Sequence, residues 1–320
     1  AISLEMAGET KKRRLIDYKV EILETNMLKV TRKKWTGLCK SGPAMLVAVL
    51  FAGTSSAQQV GGEIPASPDT LRICASANEN PYTSKDGSGF ENKVAQIIAK
   101  AMDRKAVFVY TEKPAIYLVR DFLDKNQCDV VMGLDTGDER VLTSKPYYRT
   151  GYVFVTRTDR NIHIKDWEDG QLEKLVSIAI SVGSPAELIL KAIGKYETNM
   201  NYMYSLINFK SPRNQYVRLD PSRMVNEVIQ GKADAAIAYG AEVGRYVKAS
   251  SVPLTMEFVP EDRVADGQGK TIEFNYSQSM AVRKSDGEIL KQIDAAIAKE
   301  QSQITKVLED EGIPLLPIKS

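Results

Sequence analysis

Few residues in this 320-residue chain have the types and spacing that catalysis or metal binding requires. The chain holds a single histidine, His163, and three cysteines. A zinc site draws on several His and Cys ligands, and a Ser-His-Asp triad needs a positioned imidazole, so both are disfavoured. The acidic residues Glu79, Asp86 and Asp135 are available for acid–base chemistry, but they form no motif. We therefore expect no catalytic residues, no metal site and no enzyme activity.

The charge balance excludes nucleic acid as a natural partner. The chain carries 43 Lys and Arg against 41 Asp and Glu, a formal net charge of +2, and its basic excess lies at the N-terminus. Nucleic-acid-binding domains are usually strongly basic. Hydrophobic residues make up 43% and charged residues 26%, as in an ordinary globular protein.

The N-terminal region predicts export to the periplasm. Basic residues between 29 and 34 precede the short apolar stretch 44–53 and the small residues 55–57, which is the order of a secretory signal peptide over 27–57. About ten apolar residues are too few to span a bilayer, which takes about 20. Residues 1–26 are read as an upstream extension outside the mature protein, the alternative being a basic targeting arm.

Export changes the interpretation of the cysteines. Cys39 leaves with the signal peptide, and Cys74 and Cys128 remain. An even pair in an oxidising compartment favours one disulfide. Each also lies in an apolar, strand-like run, where two buried free thiols are the alternative.

Strand-like and helix-like segments alternate along the rest of the chain. The pattern predicts strands at 71–74, 106–110 and 128–133 with helices at 90–102 and 117–124. A second set has strands at 176–180 and 233–238 and helices at 186–193 and 224–230, and a last helix follows at 289–309. Such alternation indicates mostly parallel sheets covered by helices.

Two α/β lobes account for this pattern. The extended segments 152–157 and 279–284 lie between and after the two sets and would cross from one lobe to the other. We place the first lobe at 70–154 and 278–320 and the second at 157–274. The ligand position in such a fold is the cleft between the lobes.

At this point the residues resemble a known superfamily. The segments 89–98, 145–148, 180–187, 231–238 and 280–284 follow one another as they do in amino-acid receptors of the periplasmic solute-binding proteins. The resemblance covers nearly all of 70–310. It implies a two-lobed type II periplasmic binding protein with two crossover strands.

A narrower resemblance lies inside the first. The segments 71–76, 113–121, 128–136 and 140–154 are similar to the MxaJ/XoxJ family, the J proteins of methanol dehydrogenase clusters, with MxaJ the better match. The run Pro-Ala-Ile-Tyr-Leu-Val-Arg-Asp at 114–121 is the most specific. This resemblance implies a periplasmic partner of a PQQ-dependent methanol dehydrogenase, with no cofactor of its own.

The superfamily resemblance also implies where a ligand would contact the cleft. Amino-acid receptors bind the ligand carboxylate with an Arg after the third strand, and Arg140 is the positional candidate; pairing with Asp138 or Glu139 is the alternative. The receptors place an acid for the ligand ammonium where this chain has Tyr239. Because a phenol cannot neutralise an ammonium, the resemblance here argues against an α-amino acid ligand.

The remaining candidates are a serine and three more tyrosines. Ser184 precedes Pro185 at the start of a helix, where it either caps the helix or opens an anion site. Tyr82, Tyr147 and Tyr148 would line the cleft together with Tyr239, or lie half-buried in the core.

One segment, 196–216, has no counterpart in minimal solute receptors. It is rich in Met and Tyr, which suits an adaptable protein-contact surface. The alternative is a structured insertion packed on its own lobe.

Two functions follow, and the first is preferred. The chain is predicted to assist assembly, maturation or interaction of the methanol dehydrogenase. The alternative is a receptor that delivers a small ligand, other than an amino acid, to an ABC transporter.

Overall fold

The computed structural model describes residues 64–164, 169–207, 219–260 and 273–318. The predicted extension 1–26 and signal peptide 27–57 lie outside these residues. None of the helices within the described ranges is long and apolar enough to cross a membrane.

The first lobe is built on parallel strands. Its strands and helices are β1 (Thr70–Ser76), β2 (Asn78–Glu79), β3 (Thr83–Ser84), α1 (Phe90–Ala101), β4 (Lys105–Thr111), β5 (Val130–Asp135), β6 (Leu142–Thr143) and, at the end of the chain, α7 (Gly287–Asp310). Strand β1 lies between β4 and β5 and pairs parallel with both. Helix α1 buries Phe90, Val94 and Ile98, the helical spacing that the sequence predicts.

Two long strands connect the lobes: β7 (Tyr148–Arg157) and β11 (Asn275–Val282). Residues 148–151 of β7 pair antiparallel with 275–278 of β11, and the rest of β7 pairs with strands of the second lobe. The sheet is therefore continuous, in the order β4-β1-β5-β11-β7-β9-β8.

The second lobe repeats the arrangement with shorter strands. Its elements are α2 (Gly170–Lys174), β8 (Ile178–Ile180), α3 (Ala186–Ala192), α4 (Tyr196–Ser205), α5 (Pro221–Ile229), β9 (Ala235–Tyr239), α6 (Gly240–Lys248) and β10 (Leu254–Phe258). Strands β8 and β9 are parallel, and β9 and β10 each pair antiparallel with β7. Apolar clusters cover both faces of this sheet.

Helix α4 is the described part of the Met- and Tyr-rich segment 196–216. It packs on its own lobe, because Met203 is fully buried and the Asn199 amide bonds both the N–H and the C=O of Ile178 on the edge strand β8. Tyr204 is exposed. Residues 208–216 lie outside the described ranges.

A disulfide and a buried ion pair hold the first lobe together. Cys74 in β1 and Cys128 just before β5 are joined by a disulfide that spans 54 residues of sequence. Arg72 and Asp129 lie beside it, with 2.6 Å between Nη2 and Oδ1.

The structure differs from the predicted elements in two helices. In place of the regular α-helix predicted at 117–124, the chain forms a 3₁₀ turn at Ala115–Tyr117 and a π turn at Val119–Leu123. The predicted helix at 224–230 begins earlier, at Pro221, because the Asp220 side chain accepts a hydrogen bond from the backbone N–H of Ser222 and proline is favoured in the first turn.

Helix α6 contacts both lobes, which its sequence did not indicate. Ala241 packs into the first-lobe core and Val243 into the second-lobe core. Arg245 pairs with Glu311 at the end of α7 and donates a hydrogen bond of 2.7 Å to the carbonyl of Ser88. Lys93 of α1 reaches the same Glu311 carboxylate at 2.6 Å. We call these four residues, Ser88, Lys93, Arg245 and Glu311, the α6 clasp.

Candidate functional site

The carboxyl end of the first-lobe sheet faces the second lobe across a cleft. This edge is where ligands bind in open α/β sheets. The cleft holds an inner cavity of about 380 Å³ and an outer one of about 760 Å³. Glu79, Tyr152 and Glu242 line both, so the two cavities adjoin.

Six carboxyl groups from the described residues line the cleft. Glu79, Glu91, Asp135 and Glu242 line the inner cavity, and Glu112 and Asp220 are added in the outer one. Among the described residues that line either cavity there is no Lys, Arg or His.

Several of these acids already have partners in the protein. Asp135 accepts a hydrogen bond of 2.7 Å from Gln278. Asp220 caps helix α5. Glu112 accepts a hydrogen bond from Asn78 and pairs with Lys85 at 3.3 Å.

Glu91 differs from the other acids because it is both buried and unpartnered. It lies on the inner face of α1 with 6% of its surface exposed, and it lines the inner cavity. No hydrogen bond or ion pair reaches its carboxyl group from the described part of the chain. Burial, with a smaller contribution from Glu79, raises its pKa from 4.5 to about 8.

Gly133 makes room for the Glu91 side chain. It has a positive φ of +66°, and a Cβ atom at this position would overlap Oε1 of Glu91. Glycine is thus needed here for both backbone conformation and space. Sequence reasoning missed this contact, since the two residues are 42 positions apart.

Two groups of aromatic rings lie beside the inner cavity, and four of their rings, Tyr82, Tyr152, Tyr239 and Tyr276, line it. In the first lobe Tyr82, Phe90, Tyr148 and Tyr147 contact one another in that order, with centroid distances of 5.2, 6.2 and 4.9 Å. In the second group Tyr239 lies 5.6 Å from Tyr152 and 6.1 Å from Tyr276. The rings offer π faces that attract cations.

The four predicted tyrosines occupy two different positions. Tyr82 and Tyr239 line the inner cavity. Tyr147 and Tyr148 are fully buried behind it, in the first-lobe core, and do not line either cavity. Burial raises the pKa of Tyr148 and Tyr239 well above the usual range, so both phenols stay neutral.

Arg140 lies away from both cavities. It is 59% exposed and its guanidinium contacts the carboxylate of Asp138, with 2.6 Å between Nη2 and Oδ2. The Arg140 hydrogen bonds hold the pKa of Asp138 below its usual value. The Arg140 N–H groups that would bind a ligand carboxylate thus donate to Asp138 instead.

Ser184 lines the outer cavity, and its hydroxyl is used within the protein. The hydroxyl donates a hydrogen bond of 2.6 Å to the carbonyl of Ser181 and accepts one from the backbone N–H of Ala186, the first residue of α3. The neighbouring N–H of Gly183 donates to the carboxylate of Glu187 at 2.6 Å. These contacts match helix capping.

Sequence reasoning missed the acids that matter most in this cleft. Glu242 follows Tyr239 by three residues and lies in the first turn of α6, so a carboxyl group does line the cleft near the receptor position that tyrosine occupies. What the described lining lacks is a guanidinium for a carboxylate. Apolar residues on both sides made the segment containing Glu91 resemble a plain core helix.

The donor set gives no indication of a metal centre. Within the described ranges no group of three or more His, Cys, Asp or Glu side chains is arranged to hold a metal ion.

With this geometry in place, comparison with known proteins gives the family. Residues 71–309 match the model of the bacterial extracellular solute-binding proteins, family 3. The chain belongs to this family. The expected two-lobed α/β fold with two crossover strands is confirmed.

Within the family we compare the chain with three named proteins. It is 51% identical to Protein MoxJ of Methylorubrum extorquens, over 80% of this chain and 85% of that protein. The crystal structure of MxaJ from Methlophaga aminisulfidivorans MPT matches with a TM-score of 0.73 and 50% identity, covering 77% of this chain and all of that one. The periplasmic binding protein XoxJ of Methylobacterium extorquens AM1 shares the fold, with a TM-score of 0.56 and 23% identity over 78% of this chain and all of its own. The resemblance to the MxaJ group is confirmed.

Proposed function

We propose that this chain is an exported, non-catalytic accessory protein of a PQQ-dependent methanol dehydrogenase in the periplasm. The observation that carries the proposal is its identity of about half with MoxJ and MxaJ over most of the chain. The family, extracellular solute-binding proteins, supports both the export and the binding role.

The state of the cleft supports a departure from amino-acid transport. An α-amino acid needs a cationic group for its carboxylate, and the described lining of both cavities has none. Arg140, the positional candidate, is engaged with Asp138.

We propose the segment 114–121 as part of the surface that contacts the dehydrogenase. It carries the most specific resemblance to the J proteins and presents Ile116 with 75% of its surface exposed at the rim of the outer cavity. Arg120 lies 5.1 Å from the ring of Tyr117 beside it. Apolar and aromatic residues next to an Arg are typical of protein contact surfaces.

The test is co-purification of the dehydrogenase with the tagged protein from methanol-grown cells, together with dehydrogenase activity in a deletion strain. We expect co-purification with the wild type and loss of activity on deletion. Normal activity without this protein contradicts the proposal.

A matched pair of variants locates the contact. Ile116→Ser should reduce co-purification at least tenfold. Val176→Ser changes a residue that is equally exposed, at 75%, on the second lobe, and it should have no effect. Equal behaviour of the two variants would exclude segment 114–121 from the contact.

A second candidate function, an ABC-transporter receptor for a small ligand that is not an amino acid, is favoured by the two adjoining cavities of the cleft. The test is solute uptake in the deletion strain. A receptor function predicts that uptake of a solute is lost while dehydrogenase activity stays normal.

A further inference from the structure

We propose that residues 311–316, which follow helix α7, act as a strap that holds the two lobes in one relative orientation in the free protein. We call this segment the C-terminal strap. It starts in the first lobe, crosses helix α6 of the second lobe and reaches the crossover strand β7. The inference concerns the motion of the lobes and does not depend on the accessory role proposed above.

The strap is anchored in the first lobe. Ile313 is buried in the first-lobe core, and Leu315 packs against the same core. The Glu311 carboxylate pairs with Lys93 of α1 at 2.6 Å. Pulling the strap away would expose these apolar side chains to water and break the ion pair, so the segment stays with the first lobe.

The strap contacts helix α6 backbone to backbone. A Cβ atom at Gly244 would lie 2.6 Å from the carbonyl oxygen of Gly312, and a Cβ atom at Gly312 would lie 2.7 Å from that of Gly244. Lys248, one turn further along α6, donates hydrogen bonds to the carbonyls of Glu309 and Asp310 at the end of α7. Because packed surfaces this close do not deform continuously, α6 and the strap move together or separate.

The end of the strap bonds the crossover strand β7. The Thr150 hydroxyl donates a hydrogen bond of 2.5 Å to the carbonyl of Pro314, and the backbone N–H of Leu316 donates one of 2.8 Å to the carbonyl of Arg149. Residues 148–151 are the part of β7 that pairs with the other crossover strand, β11. Hinge motions are absorbed by φ and ψ changes in a few residues that connect the moving parts. The strap therefore adds hydrogen bonds where such a bend would occur.

Pro314 fills the corner between β7 and the start of α6. A Cβ atom at Gly240, the first residue of α6, would lie 2.7 Å from Cγ of Pro314 and 2.8 Å from Oγ1 of Thr150. Helix α6 also packs Val243 into the second-lobe core. The helix is thus held by the strap on one side and by its own lobe on the other. Rotation of one lobe against the other must separate α6 from one of them.

The experiment measures the distance between the lobes by double electron–electron resonance. Spin labels are attached to Ile116→Cys in the first lobe and Val176→Cys in the second, at two positions with equal exposure. The full chain carries Cys39→Ser and is kept without reductant, so that the disulfide of Cys74 and Cys128 stays closed. We expect one narrow distance distribution from this protein.

Two variants loosen the strap in different ways. A chain that ends at Ile313 loses the hydrogen bonds of Pro314 and Leu316 to β7. Gly244→Ala keeps the whole chain and forces α6 away from Gly312. Each variant should broaden the distance distribution at least about twofold. Circular dichroism and a cooperative thermal transition verify that each variant is folded.

Each variant has a matched control. A chain that ends at Leu316 is also truncated but keeps every strap contact described above. Gly287→Ala adds a Cβ atom at the start of α7, where nothing lies within 4 Å. Both controls should give the distribution of the unchanged chain.

Broadening by either loosened variant, with both controls unchanged, supports the strap. Two results would overturn it: a broad or two-peaked distribution from the chain with its strap intact, or a narrow and unchanged distribution from both loosened variants. Neither result bears on co-purification with the dehydrogenase, so the two proposals fail separately.

Discussion

A buried carboxyl group lies at each end of the first-lobe sheet, and the two groups differ in their hydrogen-bond partners. At the amino end, Asp129 receives hydrogen bonds from both the side chain and the backbone N–H of Arg72, and Arg283 approaches within 3.5 Å. At the carboxyl end, Glu91 lines a cavity with no such partner in the described residues.

The opposite directions of the pKa shifts of Asp129 and Glu91 show the consequence of this difference in partners. Burial alone would raise the pKa of Asp129, but the hydrogen bonds and charge of Arg72 outweigh it and the net direction is downward. Burial of Glu91 is not offset, and its pKa rises to about 8. A paired acid of this kind is compensated in the fold, whereas an acid without a partner lowers stability when it ionises.

The largest expected effect is that of Glu91→Gln on stability at high pH. Below pH 4.5 the carboxyl is protonated in both the folded and the unfolded chain. As pH rises toward 8 the unfolded chain loses this proton and the folded chain keeps it, so stability falls, by up to about 5 kcal/mol for a shift from 4.5 to about 8. The variant should therefore be more stable than the wild type at pH 9 and equal to it at pH 4, as measured by urea unfolding. A pH-independent difference would contradict the comparison.

Asp129→Asn should act in the opposite direction. It leaves the Arg72 guanidinium buried without its counter-ion, at a cost of about 3–5 kcal/mol. Because the folded-state pKa of Asp129 is lowered, its contribution is present above its ordinary pKa and is lost as pH falls. Urea unfolding at pH 7 measures the loss. Asp159→Asn, at an exposed pair with Arg157, is the control and should cost far less, because solvent screens exposed ion pairs.

Gly133→Ala should cost about 2–3 kcal/mol in unfolding free energy. The new Cβ adds backbone strain at a positive φ and overlaps Oε1 of Glu91. Gly137→Ala is the matched control, since its φ is +88° and nothing lies within 4 Å. It should show the strain alone, about 1 kcal/mol. Equal losses would mean that Glu91 does not occupy this space.

Tyr239→Phe should have the smallest effect. Its hydroxyl is buried and has no hydrogen-bond partner among the described residues, so its removal should change unfolding free energy by less than about 1 kcal/mol, in either direction. Tyr202→Phe provides the contrast, because that hydroxyl lies 3.1 Å from the carboxylate of Glu227 and its loss should cost about 1 kcal/mol.

The order of strands and helices was predictable because apolar periodicity survives in the sequence. Helix α1, with buried residues at 90, 94 and 98, and the buried strand β9 are examples. The short strands β2, β3 and β6 have two residues each, too few for a period to show. Strand β10 is half-buried throughout, so its sequence shows only a weak alternation of apolar and polar residues.

The candidate site was less predictable. Tyr82, Ser184 and Tyr239 line the cleft, but the positions of Arg140, Tyr147 and Tyr148 depend on contacts that sequence does not display. Arg140 turns toward a neighbour two residues away, and Tyr147 and Tyr148 enter the core. Glu91 becomes exceptional only through what surrounds it in three dimensions, namely Gly133 of strand β5 and, among the described residues, no hydrogen-bond donor to its carboxyl group.

The α6 clasp restricts how the two lobes can move relative to each other. Helix α6 carries Glu242 in its first turn, and Arg245 on the same helix is tied to Glu311 and Ser88 of the first lobe. Any relative rotation of the halves must break these bonds or pivot about them. These contacts therefore tie the helix that carries Glu242 to the first lobe, and part of the entropy of ordering that side chain is lost when the chain folds.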